Sequence, residues 1–162
     1  MNKKEIYEYL DSLNIEYEKT EHKAVYNMAE LAEVELPHPE ADAKNLFIRD
    51  DKKKNYYLIS IKGDKKADLK TLRQKHGTRP LSFASENDLE NILKLKPGSV
   101  TPFGLLNDKE NKTVFYLDSD FVSLNSLIGV HPNDNTATVW LKTDDLIKII
   151  ESHGNKVIVT GI

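Results

Sequence analysis

Apolar residues recur along this chain in two rhythms, and the switching between them predicts helices and strands in mixed order. Ile6, Leu10 and Leu13 stand at helical spacing, and Asn2 with Glu5 has the form of a capping box, which satisfies free amides at a helix start. Ile15-Glu16-Tyr17-Glu18 alternates and predicts the beginning of a strand. Asn27 with Glu30 repeats the cap signature before a short helix through about Val34, and Pro37-His38-Pro39 then forces an extended loop. Lys44–Arg49 and Tyr56–Ile61, separated by the charged turn Asp51-Lys52-Lys53-Lys54-Asn55, predict a β-hairpin. After the Gly63-Asp64 turn, Leu69 and Leu72 mark a helix ending near Gly77. Leu81–Ala84 reads as a short strand, and Ser85 with Asp88 opens a helix carrying Leu89, Ile92 and Leu93. Lys96–Gly104 holds two prolines and two glycines in nine residues, so it continues neither a helix nor a central strand. Thr113–Leu117 and Thr136–Leu141 predict strands. A last helix starts near Thr143, uses Leu146, Ile147 and Ile150 and stops at Gly154, and Lys156–Thr160 closes the chain as a β-branched strand.

Strict βαβ alternation is absent and neighbouring strands are hairpin-like, so the fold class expected is α/β (α+β), with helices covering a mixed, curved sheet. At 162 residues, without a Pro/Gly/Ser-rich linker or internal repeat, the chain is expected to form a single domain over 1–162. A hydrophobic content of 39% with 30% charged residues describes a soluble globular protein with a modest core. No run approaches the roughly 18 apolar residues of a membrane span, and the amino terminus lacks a signal-like apolar core, so the expected location is the cytoplasm. The lack of cysteine excludes disulfides, thiolate metal sites and cysteine nucleophiles. A net charge of −3 argues against a general nucleic-acid coat and for no DNA partner, leaving room for a small, salt-sensitive contact.

Several chemistries fall away. His22, His38, His76, His131 and His153 show none of the short pairings of helical zinc sites, so no metal is expected. No G-x-S-x-G elbow and no dinucleotide or P-loop glycine pattern occurs, and no cofactor is expected. Three segments remain. Lys44-Asn45 abuts the apolar run Leu46-Phe47-Ile48, where a lysine either snorkels to water and guards a sheet edge or is kept for a task. Gly98–Pro102 is either a plain connection or a loop whose glycine opens backbone amides to a ligand while proline stiffens it. His131-Pro132-Asn133-Asp134-Asn135-Thr136 is either a capped turn or a histidine fixed at the wall of a pocket. Taken singly, each segment is explained by its plain structural reading.

Taken together they resemble the YbaK/prolyl-tRNA-synthetase-associated domain family, and within it the ProX-type freestanding editing proteins. The matching residues are Lys44-Asn45-Leu46-Phe47-Ile48-Arg49-Asp50, Gly98-Ser99-Val100-Thr101-Pro102-Phe103-Gly104-Leu105, and His131-Pro132 with Asn135-Thr136-Ala137-Thr138. They occur in the family's order, and the resemblance runs from about Leu10 to the carboxyl terminus. It implies a mixed, strongly curved sheet flanked by helices and hydrolysis of the ester between a wrong amino acid and the terminal adenosine of tRNA. For ProX-type members the substrate implied is alanyl-tRNA(Pro), because a pocket sized for proline excludes alanine only weakly.

By the same resemblance Lys44 is the essential lysine, a positioning cation for the terminal adenosine. Gly98 positions the ester carbonyl, Pro102 keeps that loop rigid, and His131 lines a small amino-acid pocket. Tyr26, Asn45 and Asn135 shape the substrate site. The attacking water is activated largely by the substrate's own ribose hydroxyl. The implied partners are the acceptor end of tRNA(Pro) and, as a candidate, prolyl-tRNA synthetase, with Arg49, Lys52–Lys54, Lys62, Lys65, Lys66, Lys70 and Arg73 as candidate tRNA contacts. Asp134 departs from the apolar residue frequent there. Two alternatives stay open: a cysteinyl- or seryl-tRNA deacylase of the same family, and a non-catalytic module that binds tRNA or a synthetase.

Overall fold

The computed structural model describes residues 1–32, 34 and 36–162. Helix α1 (Lys3–Ser12) begins at the expected capping box, with Asn2 and Glu5 each accepting the other's backbone N–H, and buries Ile6 and Leu10. Strand β1 (Tyr17–Glu21) starts slightly later than the alternation suggests. Helix α2 spans Met28–Ala32, and the stretch through which it was expected to reach Val34 lies partly outside the described residues. The hairpin forms as expected: β2 (Ala43–Asp50) pairs antiparallel with β3 (Tyr56–Lys62), with Lys44 opposite Ile61 and Asn45 opposite Ser60.

Helix α3 (Leu69–His76) ends at Gly77, whose φ of +64° is the left-handed cap that glycine adopts without strain. After β4 (Leu81–Phe83), Ser85 and Asp88 form a second capping box. The helix they start is a single α-turn, α4 (Glu86–Asp88), continued by a π-turn over Leu89–Leu93. Strands β5 (Thr113–Asp118), β6 (Leu127–Val130) and β7 (Ala137–Lys142) follow, then helix α5 (Thr143–His153) and β8 (Val157–Thr160).

These strands form two sheets. The larger, in order β4-β2-β3-β5-β8, is mixed: β2 runs antiparallel to both of its neighbours, β4 and β3, and β3, β5 and β8 run parallel. The smaller, β1-β7-β6, is antiparallel. A lone parallel bridge between Asp42 and Gly129 joins them. The expected mixed sheet with flanking helices is therefore the five-stranded one. The partition into two sheets, the short β6, and a 3-10 turn over Pro102–Asn107 with Pro102 at its start are additions that the pattern does not reveal.

The core lies on both faces of the larger sheet. On one face Phe47, Leu58, Phe115 and Leu117 pack with Ile6 and Leu10 of α1, Leu146 and Ile150 of α5, and Val139 and Leu141 of β7. On the other, Ile48, Ile59, Ile61 and Tyr116 pack with Leu72 of α3. Strand β3 is buried at six of its seven positions, which is why it reads as a nearly continuous apolar run. A polar tie locks the end of α5 to β5: Asn155, buried, donates from Nδ2 to Asp108 Oδ2 at 3.0 Å and to the Thr113 carbonyl at 2.9 Å. Replacing Asn155 with alanine removes both of these buried hydrogen bonds, leaving Asp108 with only the N–H groups of Lys112 and Thr113. The expected loss is about 1–3 kcal/mol of unfolding free energy, measured by urea denaturation.

Candidate functional site

Strand β4 pairs with Ile48, Arg49 and Asp50 of β2, so among the described residues no strand pairs with the other edge of β2 from Ala43 to Leu46. A cavity of about 450 Å³ occupies that place. Asp42, Ala43, Lys44, Asn45 and Leu46 form one wall. Val25, Tyr26, Asn27 and Met28 form a second, and Gly98, Val100, Gly129, Val130, His131 and Thr138 complete the lining, which leaves the cavity partly open to solvent. Backbone groups of an open strand edge, together with converging polar side chains, are a general means of holding a polar ligand. Five of the seven sequence-derived site residues thus meet in one cavity: Tyr26, Lys44, Asn45, Gly98 and His131.

Period-two alternation sends Lys44 and Asn45 to opposite faces of β2. Asn45 is anchored inward, its Oδ1 accepting from the Ser60 hydroxyl directly across the hairpin. Lys44 is half-buried, and its Nζ donates to the Lys65 carbonyl at 3.3 Å. Among the described residues no carboxylate pairs with it, so its charge remains available at the cavity.

Gly98 has φ +88°, and a Cβ built there would lie 2.7 Å from Cδ1 of Tyr26. Both conformation and space therefore demand glycine. The Tyr26 ring is held over this loop yet remains 65% exposed at the cavity mouth. Its own backbone N–H is bound by Glu30 Oε2 at 2.9 Å. Asn135 and Pro102 stand behind the wall. Asn135 donates from Nδ2 to the Val25 carbonyl at 2.9 Å, tying the Tyr26 loop in place. Pro102 is buried at the start of its 3-10 turn, where its fixed φ and missing N–H cost nothing.

His131 is held at two points. Its Nδ1 lies 2.8 Å from the Ala137 carbonyl, which can only accept, so Nδ1 carries the proton and Nε2 is left as an acceptor. Its own carbonyl accepts from Thr101 Oγ1 at 2.6 Å, which joins the Gly98–Pro102 loop to the His131 segment. Burial pushes the imidazole pKa below its ordinary 6.5, so the ring is neutral at neutral pH. Beside it, 6.2 Å between ring centres, His22 donates from Nδ1 to the Lys23 carbonyl at 2.7 Å and accepts from Thr138 Oγ1 at 2.9 Å. Asp134 turns away from cavity duty. Its Oδ1 accepts from the Thr136 N–H at 2.9 Å and hydroxyl at 2.6 Å, and these bonds lower its pKa.

Asp42 and His22 belong to this site without being expected there, and Thr101 and Thr138, which stand within the matching motifs, were given no role of their own. An aspartate before a strand and a threonine before a proline are ordinary turn residues, and only the tertiary contacts distinguish them. Asp42 lines the cavity, and its Oδ1 is buried without a hydrogen-bond partner. Burial, reinforced by Glu40, raises its pKa from 3.8 to about 6. Of the candidate tRNA contacts, Arg49 is paired with Asp88, Lys65 with Asp118 and Asp120, and Lys62 donates to the Glu40 carbonyl at 2.9 Å. Lys52, Lys53, Lys54, Lys66, Lys70 and Arg73 make no ion pair among the described residues. No cluster of three or more metal-ligating side chains occurs among the described residues, and no helix is long and apolar enough to cross a membrane.

Two measurements follow from this geometry. Gly98→Ala forces a side chain into a positive-φ position under the Tyr26 ring, at an expected cost of about 1–3 kcal/mol in thermal unfolding. Because the folded-state pKa of Asp42 is raised, folding stability is lost as pH rises from about 4 through about 6. Asp42→Asn removes that loss, so its melting temperature should exceed wild type by about 2–4 °C at pH 8, with a smaller gain at pH 4.5.

The family model described as "Aminoacyl-tRNA editing domain" matches residues 22–149, which contain the whole cavity wall. The prolyl-tRNA editing protein ProX of Acetoanaerobium sticklandii is 44% identical over 146 residues, covering 90% of this chain and 88% of that protein. The prolyl-tRNA synthetase associated domain-containing protein 1 of Mus musculus is 32% identical, covering 96% and 93%. A crystal structure of a proposed trans-editing enzyme for prolyl tRNA synthetase superposes with a TM-score of 0.69 at 17% identity over 99% of this chain and 96% of that one, a likeness of fold. The chain belongs to the aminoacyl-tRNA editing domain family.

Proposed function

We propose that this protein is a trans-editing deacylase that hydrolyses alanyl-tRNA(Pro) in the cytoplasm, with residues 1–162 acting as one editing domain. The observation that carries this reading is the coincidence of an uncompensated Lys44 and a neutral, doubly fixed His131 in one partly open cavity at the free edge of β2. The ProX relative, 44% identical, is named for prolyl-tRNA editing, which favours the tRNA(Pro) ester over other acyl substrates.

In this mechanism Lys44 holds the terminal adenosine by its phosphate or ribose oxygens. The Gly98 loop sets the ester carbonyl, and backbone amides there answer the negative charge that develops on its oxygen. Water adds to the carbonyl carbon, the bond to the ribose oxygen breaks, and that oxygen takes up a proton. The neighbouring ribose hydroxyl assists the water, so the chain's task is orientation and charge stabilisation. His131 borders the amino-acid end, Tyr26 and Asn45 flank the substrate, and Asn135 and Pro102 fix the loops from behind. The acceptor end of tRNA(Pro) is the partner, with prolyl-tRNA synthetase as the source of the mischarged substrate.

Purified protein should deacylate alanyl-tRNA(Pro) without added metal or nucleotide, and Lys44→Ala should lower kcat/KM by about a hundredfold or more while circular dichroism stays unchanged. Wild-type turnover in that variant would remove Lys44 from the mechanism. A panel of alanyl-, cysteinyl- and seryl-tRNA with His131→Ala tests specificity. Loss of the alanine preference is expected, and an unchanged preference assigns specificity elsewhere. Binding of charged tRNA without any deacylation would point to a regulatory module instead.

A further inference from the structure

We propose that Asp42 is the receptor for the α-ammonium group of the aminoacyl ester. This assignment rests on the editing function just described and adds a specificity-determining residue to it. The three fully buried aspartates among the described residues are well supplied with donors by the protein itself. Asp50 accepts from the Lys54 N–H at 2.9 Å and Asn55 Nδ2 at 2.7 Å. Asp108 accepts from the N–H groups of Lys112 and Thr113 and from Asn155 Nδ2. Asp118 accepts from the Lys62 N–H and the Lys65 ammonium.

Asp42 has no such support. It is half-buried: its Oδ1 is closed to solvent with no donor, its Oδ2 stays within reach of solvent, and no side-chain hydrogen bond or ion pair reaches either oxygen among the described residues. A half-buried carboxylate that receives no donor from the protein is open to a cation brought into the cavity that Asp42 lines.

The surrounding charges do not answer it. Glu40, on the preceding turn, adds negative potential. Lys62, at the end of β3, spends its ammonium on the Glu40 carbonyl at 2.9 Å and lies over the Phe121 ring. Lys44, two residues along, is turned to the Lys65 carbonyl at 3.3 Å. The position is also fixed: the backbone of Asp42 bridges to Gly129 at the seam of the two sheets, and its carbonyl accepts from the Gly63 N–H at 3.0 Å. A rigid, unpaired carboxylate at the wall of a partly open cavity is suited to a compact cation. The aminoacyl end of a charged tRNA carries one, its α-amino group, which is substantially protonated near neutral pH. Lys44 and Asp42 then divide the substrate, the cation holding the nucleotide and the carboxylate the amino acid.

The test compares two non-hydrolysable ligands, 3′-alanylamido-3′-deoxyadenosine and its lactyl counterpart, in which a hydroxyl replaces the ammonium. Calorimetric titration of wild type should show the alanyl compound binding about tenfold tighter or more. In Asp42→Asn that preference should vanish, with the lactyl affinity changed less than about threefold, and Asp42→Ala should repeat the result. A preference unchanged in both variants, or an equal loss of both ligands, overturns the assignment. Failure of the alanyl compound to bind wild type overturns it as well. Discrimination that depends on Asp42 without hydrolysis of alanyl-tRNA(Pro) upholds the receptor and removes the deacylase reading.

Discussion

A strand edge inside a folded protein must be paired, covered or wet, because unpartnered backbone N–H and C=O groups are expensive away from water. Strand β2 meets that constraint in two ways along its length. Its second half is paired by β4 through Ile48–Asp50, and its first half, Ala43–Leu46, borders a cavity. The register of the hairpin with β3 fixes where the change occurs. The site is thus the place where the larger sheet stops pairing on one side and the smaller sheet comes alongside through Asp42 and Gly129.

The loops around that edge are held less by apolar packing than by side chains bonding to backbone. Thr101 ties the Gly98 loop to His131, His131 is tied to Ala137, and Asn135 is tied to Val25 beside Tyr26. Each bond contributes only about 1 kcal/mol net. Together they place three segments far apart in sequence around one space, and they fix the protonated nitrogen of His131. Such a site gains its power from fixed geometry, which agrees with a reaction in which the substrate supplies much of its own activation. Two charged groups at that space, Lys44 and Asp42, find no ion-pair partner among the described residues, and burial raises the pKa of Asp42.

Much of this was legible in the chain. The helix ends at Asn2 and Gly154, the β2–β3 hairpin and the buried β3 follow from caps, turns and apolar runs that local physics dictates. Lys44, Gly98 and His131 became visible only as a set, since each alone has an ordinary structural explanation. The division into two sheets was not legible, because alternation shows which residues share a face and says nothing of which strands pair. Strand β6 escaped notice because it is four residues long and centred on a glycine that leaves room for the Trp140 indole. Asp42 escaped for a different reason. Aspartates before strands usually satisfy themselves, and its lack of donors exists only in three dimensions.

The most direct measurement is a crystal structure of the protein with 3′-alanylamido-3′-deoxyadenosine. The aminoacyl end should lie against the open edge of β2, between Gly98 and His131, with the nucleoside directed toward Lys44. The same ligand seated instead in the opening beneath Tyr57, Tyr116 and Arg79 on the far side of the larger sheet would contradict the assignment of the site.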